Sequence, residues 1–515
     1  MPILLVLLLT AACLPVEWPA PPLGLGAAAA AGLTAAAVAL PLAAAAGLRA
    51  WVVRTLRRAP DRRFEVGNAY GRLRRRLFFV NLAAVAGAVL GLGWGWAVRH
   101  TLLVEWHDDR ILAPFAELAV PLPYFLVLLG CWLIYYDAER ALHRAAFPEG
   151  ERSFWSRGGY VFNQVRQLAL LVGLPVGLFV TQQTLLRVAP ELTASDEYRL
   201  ASVAALPLVV LFAPLIVRPL LGLRAMPAGP VRARLEAVAR RLGFRYTNLL
   251  VWKTHGAVAN AMIIGVLPRA RYVVFTDRLL DEMPPDELDA VFGHEAGHAR
   301  HGHIGYYAAF LVLSLTALVA LVMYGAQHLD ALAAADPDGW AARLGRDDAG
   351  WMAVPPLALA GAYLFVVFGY LSRRCERQAD IFGCRTVSCG NPACTGHDEA
   401  TRYPEGGTAL CPTGIRTCAR ALERVYYANG FDGADGGPRT LRSVLRGAGA
   451  WLRAWQHAPM PRRVAFLLSL IDDPARERRF QRRVFLLRWG LAVGLVAALV
   501  VLGEAVTWRE LLRAL

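Results

Sequence analysis

The chain alternates between long apolar runs and short, strongly charged segments. Runs long enough to cross a hydrocarbon core fall near 24–47, 78–98, 113–136, 168–186, 200–221, 304–325, 351–371 and 485–503. Eight spans are therefore expected. The opening "PILLVLLLTAAC" is too short for a further one and lacks a basic leader. "LTAAC" resembles a lipoprotein cleavage site at Cys13, with Thr10 where a large aliphatic residue is expected. Composition agrees with the pattern: 56% of the 515 residues are hydrophobic and mean hydropathy is +0.39, too apolar for a soluble enzyme.

The net charge of +15 would suit a nucleic-acid binder, but its distribution argues otherwise. Segment 49–77 carries ten Arg against Asp61 and Glu65, and loop 137–166 carries five Arg. The intervening loops are acidic: Glu105, Asp108 and Asp109 in 99–110, Glu191, Asp196 and Glu197 in 187–199, and five Asp in 326–350. Such alternation is the positive-inside pattern of a polytopic membrane protein, with the lipid bilayer rather than nucleic acid as partner. Arg supplies nearly all of the positive charge, Lys253 being the sole lysine, which hints at a GC-rich bacterial coding sequence. The expected location is a bacterial inner membrane. The expected organisation is an N-terminal membrane region (1–221), a cytoplasmic region (222–303), a transmembrane hairpin (304–371), a second cytoplasmic region (372–484) and a C-terminal span and tail (485–515).

"MPPDELDAVFGHEAGHARHGHIG" predicts a helix, with Pro284 and Pro285 at its first turn and Asp286 and Glu287 at its positive dipole end. His294 and His298 stand four apart and leave one face, with Glu295 beside them. This HExxH spacing lets two imidazoles hold one zinc while the carboxylate reaches its water. Five residues recur by chance, so a third ligand must decide. Continued as one helix, the chain crosses the membrane from Ile304 and returns through 351–371, and the first carboxylate back at the same depth is Glu376. Asp380 follows one turn later, placed to accept a ring N–H from a ligand histidine. His301 and His303 lie off the ligand face and read as interfacial polar residues.

These residues resemble the membrane zinc proteases that include the CaaX prenyl protease and the heat-shock protease HtpX. The resemblance covers roughly 227–470 and rests on "VANAMIIG" (258–265), the HExxH segment, "SRRCERQAD" and "HAPMPRRV" (457–464). It implies a mainly α, polytopic membrane protein with a zincin-like catalytic domain carrying a small β-sheet. His294, His298 and Glu376 would bind one catalytic zinc ion, Glu295 would be the general base and Asp380 would orient a ligand. Asn260 and Ala261 would pair with a protein or peptide substrate as an added β-strand. His457 and Arg463 would help hold the developing oxyanion. Ala458 stands where the family usually has Pro, which puts the local loop shape in doubt.

Six of the eight cysteines fall between 375 and 418, where the family has no such insert. Some of Cys384, Cys389, Cys394, His397, Cys411 and Cys418 would hold a second, structural metal; disulfides or buried thiols are the alternatives. A position beside Glu376 suggests a lid or substrate-selecting flap. The function expected is a zinc metalloendopeptidase acting at the cytoplasmic bilayer surface on membrane-associated or misfolded membrane proteins. The alternatives are CaaX-type processing of lipidated peptides and a non-enzymatic scaffold or transporter. An intramembrane protease fits less well, because charged residues flank the HExxH segment.

Overall fold

The computed structural model describes residues 22–105, 115–147, 153–341, 354–397, 409–429 and 459–514. The chain divides into two compact units, Met1–Tyr198 and Arg199–Leu515. The first is helical. Its long helix Ala27–Arg58 packs on Arg63–Ala86 and Leu122–Ala146, burying Val52, Tyr70, Val127 and Tyr135 among them. Charges inside this unit are matched rather than absent. Glu117, fully buried, receives Arg99 at 2.8 Å and Arg187 at 2.9 Å, and Arg74 pairs with Glu139. Pairing is what permits such burial, since a lone charge there costs several kcal/mol.

The second unit holds a four-stranded sheet of order β1-β2-β4-β3: β1 is Arg224–Ala225, β2 Asn248–Trp252, β3 Ala261–Ile264 and β4 Tyr272–Thr276. β2 runs parallel to β4, whereas β1 and β3 are antiparallel to their neighbours. Central β4 reads as an unbroken buried run from Val273 to Thr276, as a strand covered on both faces must. Helix Pro230–Arg241 adds Leu235, Val238 and Ala239 to the same core, as do Phe292, Ile381, Ile415 and Leu467 from other helices. β3 is an edge strand.

Two junctions differ from the continuous helices that the apolar pattern predicts. The HExxH helix, Pro285–Arg300, ends at Gly302, whose φ of 63° is left-handed, and a new helix, His303–Ala335, begins there. Glycine stops a helix in this way because it lacks the Cβ that penalises positive φ. The returning chain is helical over Val354–Tyr363, makes one π turn at Leu364–Phe368, and continues as Gly369–Thr386.

Among the described residues, three helices are long and apolar enough to cross a membrane: Ala27–Arg58, His303–Ala335 and Ala475–Val506. Pro60–Gly91 with Trp94–Leu102, bent by 56°, would make a fourth. Against eight expected spans, the runs near 113–136, 168–186, 200–221 and 351–371 are largely helical where described, the first interrupted by a bend at 120–121, yet none of their described helices is both long and apolar enough to count.

Candidate active site

The site forms where the HExxH helix lies against Gly369–Thr386. Glycines let the two backbones approach. A Cβ on Gly297 would sit 2.9 Å from Phe382 Cβ and 3.1 Å from Ala379 Cα. In the opposite direction, a Cβ on Gly383 would come within 2.9 Å of the Ala290 carbonyl oxygen. Charges then fix the HExxH helix in place. Asp289, fully buried, takes Arg234 through both oxygens at 2.7–3.0 Å, and Glu287 takes Arg424 at 2.6 Å. The same helix packs against edge strand β3.

Across this seam His294 Nε2 and His298 Nε2 stand 3.2 Å apart, with Glu376 oxygens 3.9 Å and 3.6 Å from them. Adjacent donors on a tetrahedral zinc ion are about 3.3 Å apart for bonds near 2.05 Å, so the three fit one ion. The tautomers carry the test further. Gln378 donates to Gln481 (2.6 Å), which turns its carbonyl oxygen toward His303 Nε2 at 3.0 Å. This orientation puts a proton on His303 Nε2 and lets its Nδ1 accept from His298 Nδ1–H, 3.0 Å away. That leaves a lone pair on His298 Nε2. His294 Nδ1 faces Asp380 Oδ1 at 2.9 Å, and a proton held there leaves its Nε2 lone pair toward His298 and Glu376. Two lone pairs at 3.2 Å repel unless a proton or a cation lies between them. The pocket is built to hold one.

The charges set which. Burial alone would lower the His294 pKa, but Asp380 first, then Glu295 and Glu376, raise it to about 9. Burial and the adjacent His294 push His298 down to about 4. Burial would raise the Asp380 carboxyl, yet Arg463 and His294 outweigh that and hold it below the usual carboxylate range. The carboxylates thus favour positive charge between the two rings, whether a proton or a divalent cation. Glu295, half-buried, leaves the helix between the two ligand positions.

Arg463, from helix Met460–Asp472, is 5% exposed and grips Asp380 through two bonds of 2.9 and 2.5 Å, with a third nitrogen 3.4 Å from Glu376. The resemblance assigns it to the substrate carbonyl, whereas in the structure its partners are the two carboxylates. His457 lies outside the described residues. Asn260 immediately precedes β3, its N–H donating to Thr276 Oγ1 and its carbonyl accepting from Thr276 N–H, while Ala261 opens the strand opposite Phe275. Sequence reasoning set aside His303 and did not consider Gln378. Only the break at Gly302 turns His303 back onto His298.

The five cysteines considered for a second metal divide into two groups. Cys384 and Cys418 are buried in the core beneath the catalytic helices, Cys418 beside the Asp380 carbonyl at 3.6 Å. Cys389, Cys394, His397 and Cys411 converge elsewhere, with their donor atoms all within 4.8 Å of one another. No disulfide links the described cysteines.

An HExxH helix seamed to a second helix that returns a carboxylate, in an apolar helical chain, forms a candidate metal centre of the kind metalloproteases use. Residues 226–396 match the sequence model of Peptidase family M48. The Protease HtpX homolog of Aeropyrum pernix is 31% identical over 115 residues, 22% of this chain and 34% of that protein. The Protease HtpX homolog of Thermoplasma acidophilum is 28% identical over 158 residues, 30% of this chain and 44% of that protein. The chain thus spans between a third and a half of the length of the curated relatives it matches. The crystal structure of S. mikatae Ste24p aligns with a TM-score of 0.51 at 14% identity, covering 84% of this chain and 98% of that one, a likeness of fold. The family read from the sequence, that of HtpX and the CaaX prenyl protease, is borne out by the M48 domain, the HtpX homologues and this fold.

Proposed function

We propose that the protein is a zinc metalloendopeptidase that hydrolyses peptide bonds of membrane-associated or misfolded membrane proteins at the cytoplasmic face of the bilayer. The observation that carries this reading is the convergence of two imidazole lone pairs and a carboxylate beside Glu295. His294, His298 and Glu376 would hold zinc, which supplies Lewis acidity toward water and the peptide carbonyl. Glu295 accepts the proton of the attacking water and returns it to the leaving amine. Asp380 and the His303–Gln378 pair hold the ligand rings in the tautomers that face the metal. Arg463 keeps Asp380 ionised and aimed at His294.

Edge strand β3 lies against the HExxH helix, with Asn260 and Ala261 at its start, and a substrate backbone added there would run past the site. The arginine-rich loops support a cytoplasm-facing site by the positive-inside rule. The test compares wild type with Glu295→Gln in detergent on an unfolded membrane-protein substrate. Cleavage by wild type alone, with zinc retained in both, is the expected result. Equal cleavage, or none from either protein with zinc bound, overturns the proposal.

A further inference from the structure

We propose a second metal site, a structural tetrahedral zinc held by Cys389, Cys394, His397 and Cys411, which clamps the end of the helix carrying Glu376 and Asp380 to the helix that follows it. Three thiols and one imidazole have their donor atoms all within 4.8 Å of one another. Sulfurs on one tetrahedral zinc stand about 3.8 Å apart for bonds near 2.3 Å, so small side-chain movements close the set on an ion. His397 Nε2 lies 3.2 Å from Cys411 Sγ. Cys394 and Cys411 are buried, at 7% and 0% exposure, whereas Cys389 and His397 are half-buried at the mouth. Soft thiolates with one imidazole select zinc over magnesium or calcium.

Backbone N–H groups reach two of the three sulfurs. Cys411 is the N-cap of helix Pro412–Ala428, and its sulfur accepts the Gly414 N–H at 3.2 Å, at the positive end of seventeen helical residues. Gly390, directly after Cys389, has a φ of 78°, and this turn brings the Asn391 backbone to the Cys389 sulfur. The Cys394 thiol donates to Thr413 Oγ1 at 3.3 Å and to the Gly396 carbonyl at 3.1 Å, bonds that zinc would replace when the proton leaves. The backbone N–H bonds to the Cys411 and Cys389 sulfurs hold them in place and lower the cost of gathering their charge. Zinc binding displaces the three thiol protons, and no oxidation is involved.

The clamp has a defined mechanical position. Glu376 and Asp380 lie on the helix that ends at Thr386, and Cys389 is the third residue beyond it. Ser388 bridges the two sides, donating to the Cys384 carbonyl at 2.8 Å and accepting the Cys411 N–H at 3.1 Å. The helix after Cys411 carries Arg424, the partner of Glu287 on the HExxH helix. One ion would therefore fasten together two of the helices that frame the catalytic seam. Cys389 and Cys394 fall within the residues matched by the M48 model, whereas His397 and Cys411 lie beyond them, so the matched segment does not contain the full set.

The proposal does not depend on the peptidase reading, and the test separates the two. The full-length protein, purified in detergent under reducing conditions, is analysed for zinc by elemental mass spectrometry and then exchanged with Co2+. About two zinc ions per chain are expected in wild type, and about one in Cys411→Ser and in Cys394→Ser. The Co2+ form should show thiolate-to-cobalt charge-transfer absorption that persists in His294→Ala and is lost in Cys411→Ser. About one zinc in wild type with no thiolate-to-cobalt band overturns the proposal. So does a Cys389–Cys394 or Cys394–Cys411 disulfide in the protein as isolated without reductant. Because the wild-type band is read directly, a variant that fails to fold leaves the test intact.

Discussion

Substituting Gly297 by Ala tests whether the zinc ligands are assembled by close backbone packing. The added methyl would lie 2.9 Å from Phe382 Cβ, 3.1 Å from Ala379 Cα and 3.3 Å from the Ala379 carbonyl oxygen. Carbon contacts are comfortable at about 3.5–4.0 Å, so the overlap is roughly 0.5–1 Å. Two of the three atoms are backbone, and no rotamer change relieves them. The helix bearing Glu376 must retreat. Ala is better than Gly in a helix by about 1 kcal/mol, whereas overpacking costs about 1–3 kcal/mol, so the net change is a loss of about 0–2 kcal/mol. The functional effect is larger than the stability effect. Glu376 is three residues from Ala379, and a ligand displaced by about 1 Å leaves a site that tolerates about 0.2 Å. A misplacement of that size costs about 100-fold in rate. Zinc affinity from chelator competition, turnover of an unfolded substrate and the thermal midpoint in detergent are the readouts. Gly325→Ala is the control, because a Cβ there meets nothing within 4 Å. If Gly297→Ala behaves like that control, with unchanged zinc affinity and turnover, close packing does not assemble the site.

Three further outcomes follow from the same geometry. His303→Ala removes the acceptor for His298 Nδ1–H and should weaken zinc binding about 10- to 100-fold in chelator competition, while His301→Ala should leave it near wild type. Asp380→Asn leaves buried Arg463 with Glu376, 3.4 Å away, as its remaining carboxylate, and should cost about 3–5 kcal/mol in detergent unfolding, toward the lower end because that charge and an amide acceptor remain. Asp277 receives the Thr254 hydroxyl and amide and the Gly256 and Arg278 amides, which overcome the upward push of burial and lower its pKa. Its folded pKa is therefore below the unfolded value of about 3.9, so its stabilisation is complete above that pH and is lost as pH falls through the folded value. The stability gap between wild type and Asp277→Asn should accordingly be flat from about pH 5 to 7 and shrink toward pH 3.

What the sequence disclosed follows from which features are periodic. His294 and His298 were legible because a helix has a fixed turn, and Glu376 because a membrane hairpin returns at matching depth. His303 was not, because one left-handed residue at Gly302 breaks the helix that the apolar pattern continues. The glycine seam was invisible for a different reason. Gly297 in sequence is only a small residue, and its meaning depends on Ala379 and Phe382, some eighty positions away. Arg463 was found by its spacing in a motif, but its commitment to Asp380 and Glu376 is tertiary information. The cysteine cluster was visible as a concentration, but which four converge depends on the turn at Gly390 and the helix start at Cys411.

The most direct test is anomalous diffraction at the zinc edge from the full-length protein. The account predicts a zinc peak within about 2.0–2.2 Å of His294 Nε2, His298 Nε2 and a Glu376 oxygen, with solvent rather than protein in the fourth position. A zinc closed by a fourth protein ligand, or no zinc between these three residues, would contradict it.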